Sequence, residues 1–273
     1  STSPGGRGKA AGFSLIELAI VLVILGVLAG GILVGQSLIR SAEIRTFLTE
    51  LENINNVTLT FQDKYDSLPG DIPDATRIWG TQAGTTGNDD TCYTSLSTTQ
   101  ATCNGNGDGR IDMGYTGTGH HERGRYWQHL ANAGLISGQY TGFQGLSGSE
   151  FRIGGVNHPR ATFNNTHWVT SWHAAPTTDT TFFYHEPAHR ITNTPDFTSW
   201  PGPLRRILTP GEMWSIDTKL DDGKPAHGKV IARFWNNACA AADDGTSANN
   251  DLNASYRLND KSIQYSLHFI KQF

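Results

Sequence analysis

From Phe13 to Gly35 the chain reads FSLIELAIVLVILGVLAGGILVG, in which Ser14 and Glu17 are the only polar side chains. As a helix these residues rise about 34 Å, enough to cross a hydrocarbon core of about 30 Å. A cleaved secretory signal would have a shorter apolar core, small residues at the cut and a polar start to the mature chain. Here the run passes unbroken into a second pattern, so it reads as a retained span. Ile44, Phe47, Leu48, Leu51, Ile54, Phe61 and Tyr65 recur at helical spacing, with Arg45, Glu50, Glu52, Gln62 and Lys64 on the other faces. Leu68-Pro69-Gly70-Asp71 then stops the helix. One helix from about Phe13 to Tyr65, about 80 Å long, is predicted, half of it apolar all round and half amphipathic.

The rest of the chain has weaker patterns. Residues 66–119 are poor in hydrophobics and rich in Gly, Thr, Asn and Asp, which predicts a long loop region. Glu122 to Ala133 places Trp127, Leu130 and Ala131 at helical spacing, with Gly134 as a C-terminal cap. Thr209-Pro210-Gly211-Glu212 reads as a capping box with proline at the first helical position, opening a short helix through Met213, Ile216 and Leu220. Trp168 to Trp172, Thr180 to His185, Lys229 to Trp235 and Gln264 to Ile270 are strand candidates. The fold class is therefore α+β. A long N-terminal helix, transmembrane and then amphipathic, packs on a globular head with a small antiparallel sheet and short helices.

Composition narrows the setting. Only 17% of residues are charged, and the abundance of Gly, Thr and Asn suits a loop-rich extracytoplasmic domain better than a cytosolic helical enzyme. A net charge of −4 argues against a broad nucleic-acid footprint, so no nucleic-acid partner is expected. Cys92 and Cys103 lie close together in a polar stretch and, in an oxidising compartment, would close a small disulfide loop. Cys239 is left over and reads as a buried free thiol.

Glu17 sits near one end of the span, where a carboxylate either snorkels to the interface or pairs with a cation on a neighbouring chain. The residues around it bear on that choice. Gly12-Phe13-Ser14-Leu15-Ile16-Glu17, after a short segment carrying Arg7 and Lys9, resembles the processing site of type IV pilins and type II secretion pseudopilins. The resemblance implies that a prepilin peptidase cuts between Gly12 and Phe13 and methylates the new amine of Phe13. It also implies that Glu17 pairs with the amine of an adjacent subunit during assembly. The chain would then divide into a leader (1–12), a transmembrane and assembly helix (13–39), its amphipathic continuation (40–65) and an extracytoplasmic head (66–273). The implied setting is the bacterial inner membrane, with the N-terminus cytoplasmic and the head periplasmic or carried on a surface filament. Implied partners are other pilin or pseudopilin subunits, the peptidase, membrane lipid and an inner-membrane assembly platform. The large head suggests a minor or specialised subunit. An adhesin or cargo-binding module on a pilin stem is the alternative, and the residues do not separate type IV pilus from type II secretion.

Gly26 and Gly30, and Gly31 and Gly35, are spaced for close helix approach in lipid, although glycine is common in membrane helices. His185-Glu186-Pro187-Ala188-His189 has the HExxH spacing of zinc peptidases, but Pro187 and the strand-like residues before it disfavour the helix that chemistry needs. No enzymatic activity is expected. Asn104, Asn106, Asp108, Arg110 and Asp112 follow the alternation of the first half of an EF-hand loop, with Asn104 where Asp is usual and Tyr115 at the bidentate Glu position. Calcium-stabilised loops occur among secretion pseudopilins, so the resemblance implies Ca2+ here, while the residues equally suit a Gly/Asn-rich turn. No organic cofactor is expected. Asp221 and Asp222 read as a solvated turn or a cation site, and Trp168, Trp172, Trp200, Trp214 and Trp235 as core or as a binding surface.

Overall fold

The computed structural model describes residues 14–87, 92, 97, 99–112, 122–143, 147–163, 166–173, 188–195, 197–199, 207–226, 228–234, 240–241, 254–263 and 265–271. The chain divides into two units, Ser1–Arg45 and Thr46–Phe273. Helix α1 (Leu15–Tyr65) contributes to both. Within the first unit its side chains from Leu15 to Val34 lie bare: Leu15 is 92% exposed, Val27 71% and Leu33 68%. Its most apolar stretch has a mean hydropathy of 2.8, so by length and composition α1 is able to cross a membrane.

In the second unit α1 buries one stripe, Phe47, Leu51, Ile54, Thr58 and Phe61, at steps of three and four residues. Two aromatic clusters close over it. Phe47 stacks on Trp168 at 4.8 Å and meets Phe163 and Phe269 at 5.2 and 6.2 Å. Phe61 meets Tyr65 at 4.5 Å and His129 at 6.4 Å, while Trp79 of α2 (Ala75–Trp79) reaches His129 at 5.0 Å. Helix α3 (Glu122–Asn132) is joined to α1 by a hydrogen bond between the Thr58 and Tyr126 hydroxyls. It ends at Gly134 (φ 73°), where the Leu135 N–H donates to the Leu130 carbonyl, the cap the sequence indicates.

The strands that follow are β1 (Ser147–Arg152), β2 (Thr166–His173), β3 (Ala188–Pro195) and β4 (Phe197–Ser199). Helix α4 (Pro210–Leu220) precedes β5 (Val230–Phe234), β6 (Ala240–Ala241), β7 (Ser255–Tyr256) and β8 (Tyr265–Lys271). The main sheet has the order β2-β3-β8-β5 with every pairing antiparallel; β1 pairs with β4 and β6 with β7. Three strand expectations fall on β2, β5 and β8. The one at Thr180 to His185 lies outside the described residues. Strand β3, central in the sheet, escaped because AHRITNTP lacks a clear alternation of apolar and polar residues.

Within 66–119 the described residues hold more order than their composition suggests. Asp66 (φ 52°) and Gly70 (φ 90°) turn the chain out of α1, and a Cβ on Gly70 would meet the Glu122 carbonyl at 2.6 Å. Cys92 and Cys103 form a disulfide, as expected. Cys239 lies outside the described residues. Trp168 is core at 2% exposure, whereas Trp214 is 43% exposed; Trp200 and Trp235 lie outside the described residues.

Candidate functional site

Two places bring the nominated residues together. The first is the start of α1. Gly12 and Phe13 lie outside the described residues; Ser14 and Glu17 do not. The Ser14 N–H donates to Glu17 Oε2 at 2.8 Å, and the Glu17 N–H donates to Ser14 Oγ at 3.2 Å. This is a reciprocal capping box satisfying two of the N–H groups a helix start leaves without partners. The carboxylate nominated for assembly thus already serves its own helix. The S-x-x-E spacing was there to be read in Ser14 and Glu17. Beyond them, nothing lies within 4 Å of a Cβ built on Gly26, Gly30, Gly31 or Gly35. Each of these positions is open to close approach by another helix.

The second place is the loop from Asn104 to Asp112. Its side-chain oxygens accept backbone N–H groups: Asn104 Oδ1 from Thr76, Asn106 Oδ1 from Asp108 and Asp108 Oδ1 from Arg110, at 2.9 to 3.0 Å. Two buried carboxyls that the sequence reading passed over hold the loop from beneath. Asp71 accepts from Gly107 at 2.6 Å and Gly109 at 2.9 Å. Glu122 accepts from Asn106 and Asp112, both at 3.0 Å. Asp71, Asp108 and Glu122 bring carboxylate oxygens within 4.8 Å of one another, so Asp108 is the nominated calcium residue in the converging set. Arg110 instead lies over the Trp172 ring at 5.4 Å, and Asp112 is anchored by its N–H on Glu122.

Burial sets the charge here. Desolvation pushes Glu122 up to about 9, against the pull of the Asp112 and Asn106 N–H groups, and raises Asp71 as well. The two carboxyls share a hydrogen bond, which pulls Asp71 down against its burial. Arg125, fully buried nearby, donates through Nη1 to the Asn104 carbonyl at 2.9 Å. No single sequence window could show this arrangement, because Asp71 and Glu122 flank the loop from opposite sides.

Asp71, Gly107 and Gly109 also line a cavity of about 330 Å³ with Gln62, Asp66, Ser67, Leu68 and His189. His189, from the HExxH spacing, belongs to β3 and meets Trp172 edge to face at 4.8 Å. Burial lowers its pKa to about 4. His185 and Glu186 lie outside the described residues. A histidine on a strand lacks the helical i, i+4 partner that zinc peptidase chemistry uses.

Asp217 and Asp221 fasten the far end of α4. Asp217 accepts from Tyr256 Oη at 2.6 Å and from the Gly223 N–H at 3.3 Å; Asp221 accepts from the N–H groups of Lys229 and Val230. Asp222 accepts from the Lys224 N–H at 2.8 Å.

No curated protein and no solved structure matches the chain. A family model does: the prokaryotic N-terminal methylation motif matches residues 7–33, which include Gly12, Phe13 and Glu17 and the apolar first part of α1. In its N-terminal segment this chain carries the signature of prepilin-type proteins, the type IV pilins and pseudopilins.

Proposed function

We propose that this protein is a filament subunit of a type IV pilus or a type II secretion pseudopilus, and a minor or specialised one. It is anchored by the first part of α1, cleaved between Gly12 and Phe13, methylated on the Phe13 amine and polymerised through the same helix. The observation that carries the reading is the union of the methylation motif with a helix whose first part, Leu15 to Val34, is bare on all sides. The exposed side chains from Leu15 to Val34 need lipid before assembly and sister helices after it. In this reading the head is held in the periplasm and the inner-membrane platform extracts the subunit from lipid.

The test is the mature terminus. Mass spectrometry of the membrane fraction from cells with the prepilin peptidase should find peptides beginning at N-methylated Phe13. Cells without the peptidase should retain Arg7 and Lys9. An assembled chain keeping both residues would overturn the reading.

A further inference from the structure

The loop from Asn104 to Asp112 contains two Asn-Gly pairs, Asn104-Gly105 and Asn106-Gly107. An Asn-Gly pair can convert itself. The glycine nitrogen attacks the asparagine Cγ, ammonia leaves, and water opens the cyclic imide to aspartate or isoaspartate. Attack requires the glycine N–H to lose its proton and the amide carbonyl to be polarised.

The structure treats the two pairs differently. The Gly105 N–H donates to the Ile72 carbonyl at 2.7 Å, a neutral acceptor that cannot take the proton. Gly105 is also pressed against the chain, since a Cβ there would lie 2.3 Å from Asp71 Cα. Asn104 Oδ1 is held by the Thr76 N–H, away from its own loop. The Gly107 N–H instead donates to a carboxylate oxygen, Asp71 Oδ1, at 2.6 Å. Asn106 Oδ1 accepts the Asp108 N–H at 3.0 Å, a donor placed on the oxygen that becomes negative during attack. Gly107 is exposed and Asn106 partly so, which lets ammonia leave and water enter.

We propose that Asn106-Gly107 is a self-modifying site, in which Asp71 acts as the base for intramolecular deamidation of Asn106. Asp71 Oδ1 takes the Gly107 amide proton as the nitrogen forms its bond to Asn106 Cγ. The Asp108 N–H holds the resulting oxyanion. The Cγ–Nδ2 bond then breaks with return of the proton, releasing ammonia, and water opens the succinimide. The product places a further carboxylate beside Asp108.

The full chain, purified in detergent, is incubated at mildly alkaline pH and mapped by peptide mass spectrometry with fragmentation that separates aspartate from isoaspartate. A heat- and urea-unfolded sample is followed in parallel. In the folded chain Asn106 should convert faster than Asn104 by on the order of tenfold or more, as general-base assistance allows. Unfolding should bring the two rates together. Asp71→Asn should slow Asn106 conversion while leaving Asn104 unchanged. If that variant fails to fold, the folded-against-unfolded comparison of the natural chain decides alone. Slower conversion of Asn106 in the folded chain than in the unfolded one would show that the Gly107 hydrogen bond protects, overturning the proposal. Equal rates at Asn104 and Asn106 in the folded chain would overturn it too, as would an undiminished Asn106 rate in a folded Asp71→Asn chain.

Discussion

Ser14-Leu15-Ile16-Glu17 and Thr209-Pro210-Gly211-Glu212 fold into the same local device. In each, the hydroxyl accepts the N–H of the glutamate, and the glutamate accepts the N–H of the capping residue. The surroundings differ. Glu212 also accepts the Thr209 hydroxyl at 3.0 Å, and its helix buries Pro210, Met213, Ile216 and Asp217 in the head. Glu17 caps a helix whose first part, Leu15 to Val34, has no packed face, and it lies within the methylation motif. Tertiary packing surrounds the cap of α4, whereas the cap of α1 stands apart from any packed core. One short motif thus acts as a structural fastener in the head, and under the proposed function the same motif at the terminus is a contact that Glu17 gives up to a neighbouring subunit.

The comparison is broken most severely at the glutamates themselves. Glu17→Val should leave insertion intact, because it removes a polar group from the span. Oligomer yield on crosslinking in membranes should fall sharply. Glu212→Val should lower the melting temperature of the head and leave crosslinking unchanged. Equal oligomer yields from wild type and Glu17→Val would reduce Glu17 to a cap like its counterpart.

A second way to separate the regions is to weaken the head without touching the helix. Replacing Cys92 and Cys103 with serine removes a link across a sequence separation of 11 and should cost about 3 kcal/mol in the loop-entropy model. Denaturant titration of the head measures it. Crosslinking through α1 should persist under conditions where the head stays folded. If it disappears there, assembly depends on the head as well.

The acids on α4 sharpen the contrast by position. Glu212 sits at the N-terminal end, where a negative charge is favoured. Asp217 is buried near the other end, and desolvation raises it from 3.8 to about 7, with Asp222 and Asp221 adding repulsion. A carboxyl whose folded pKa lies above its unfolded value favours the folded state while protonated. That contribution is complete below the unfolded value and is lost as pH rises through about 7. Through Asp217 the melting temperature should therefore fall between about pH 4 and about pH 7, and Asp217→Asn should make the decline shallower. An unchanged slope in the variant would assign the decline to other groups. Glu122, raised from 4.5 to about 9, adds to the same decline and carries it on to about pH 9.

How much of this was legible in the sequence depended on how far apart the cooperating residues lie. The apolar run, the 47–51–54–61 stripe and the Thr209 box are local patterns, and each folds as its spacing indicates. The disulfide was readable because Cys92 and Cys103 stand close together in a polar stretch. Strand β3 was not, because its place between β2 and β8 comes from non-local pairing rather than from its own alternation. The Asn104–Asp112 spacing is shared by a calcium loop and by successive side-chain-to-backbone turns, so only the positions of Asp71 and Glu122 show how this loop is held.

The smallest expected effect tests the caps directly. Removing a capping hydroxyl costs a protein about 1 kcal/mol where the helix start is part of its folded unit. Thr209→Ala should do so, because Glu212 loses the one hydroxyl that both donates to its carboxylate and accepts its N–H, while α4 remains packed. A drop of a few degrees in the melting temperature of the head is expected. Ser14→Ala removes the equivalent acceptor from α1, yet Ser14 lies in the unit that ends at Arg45, outside the head. The melting temperature should stay put. The same variant loosens the grip of the helix start on Glu17, so the carboxylate exchanges more readily and crosslinked oligomer should be kept or increased. A melting shift for Ser14→Ala as large as that for Thr209→Ala would mean that the two caps are not separable. Loss of oligomer with Ser14→Ala would mean instead that the cap holds Glu17 in the orientation assembly requires.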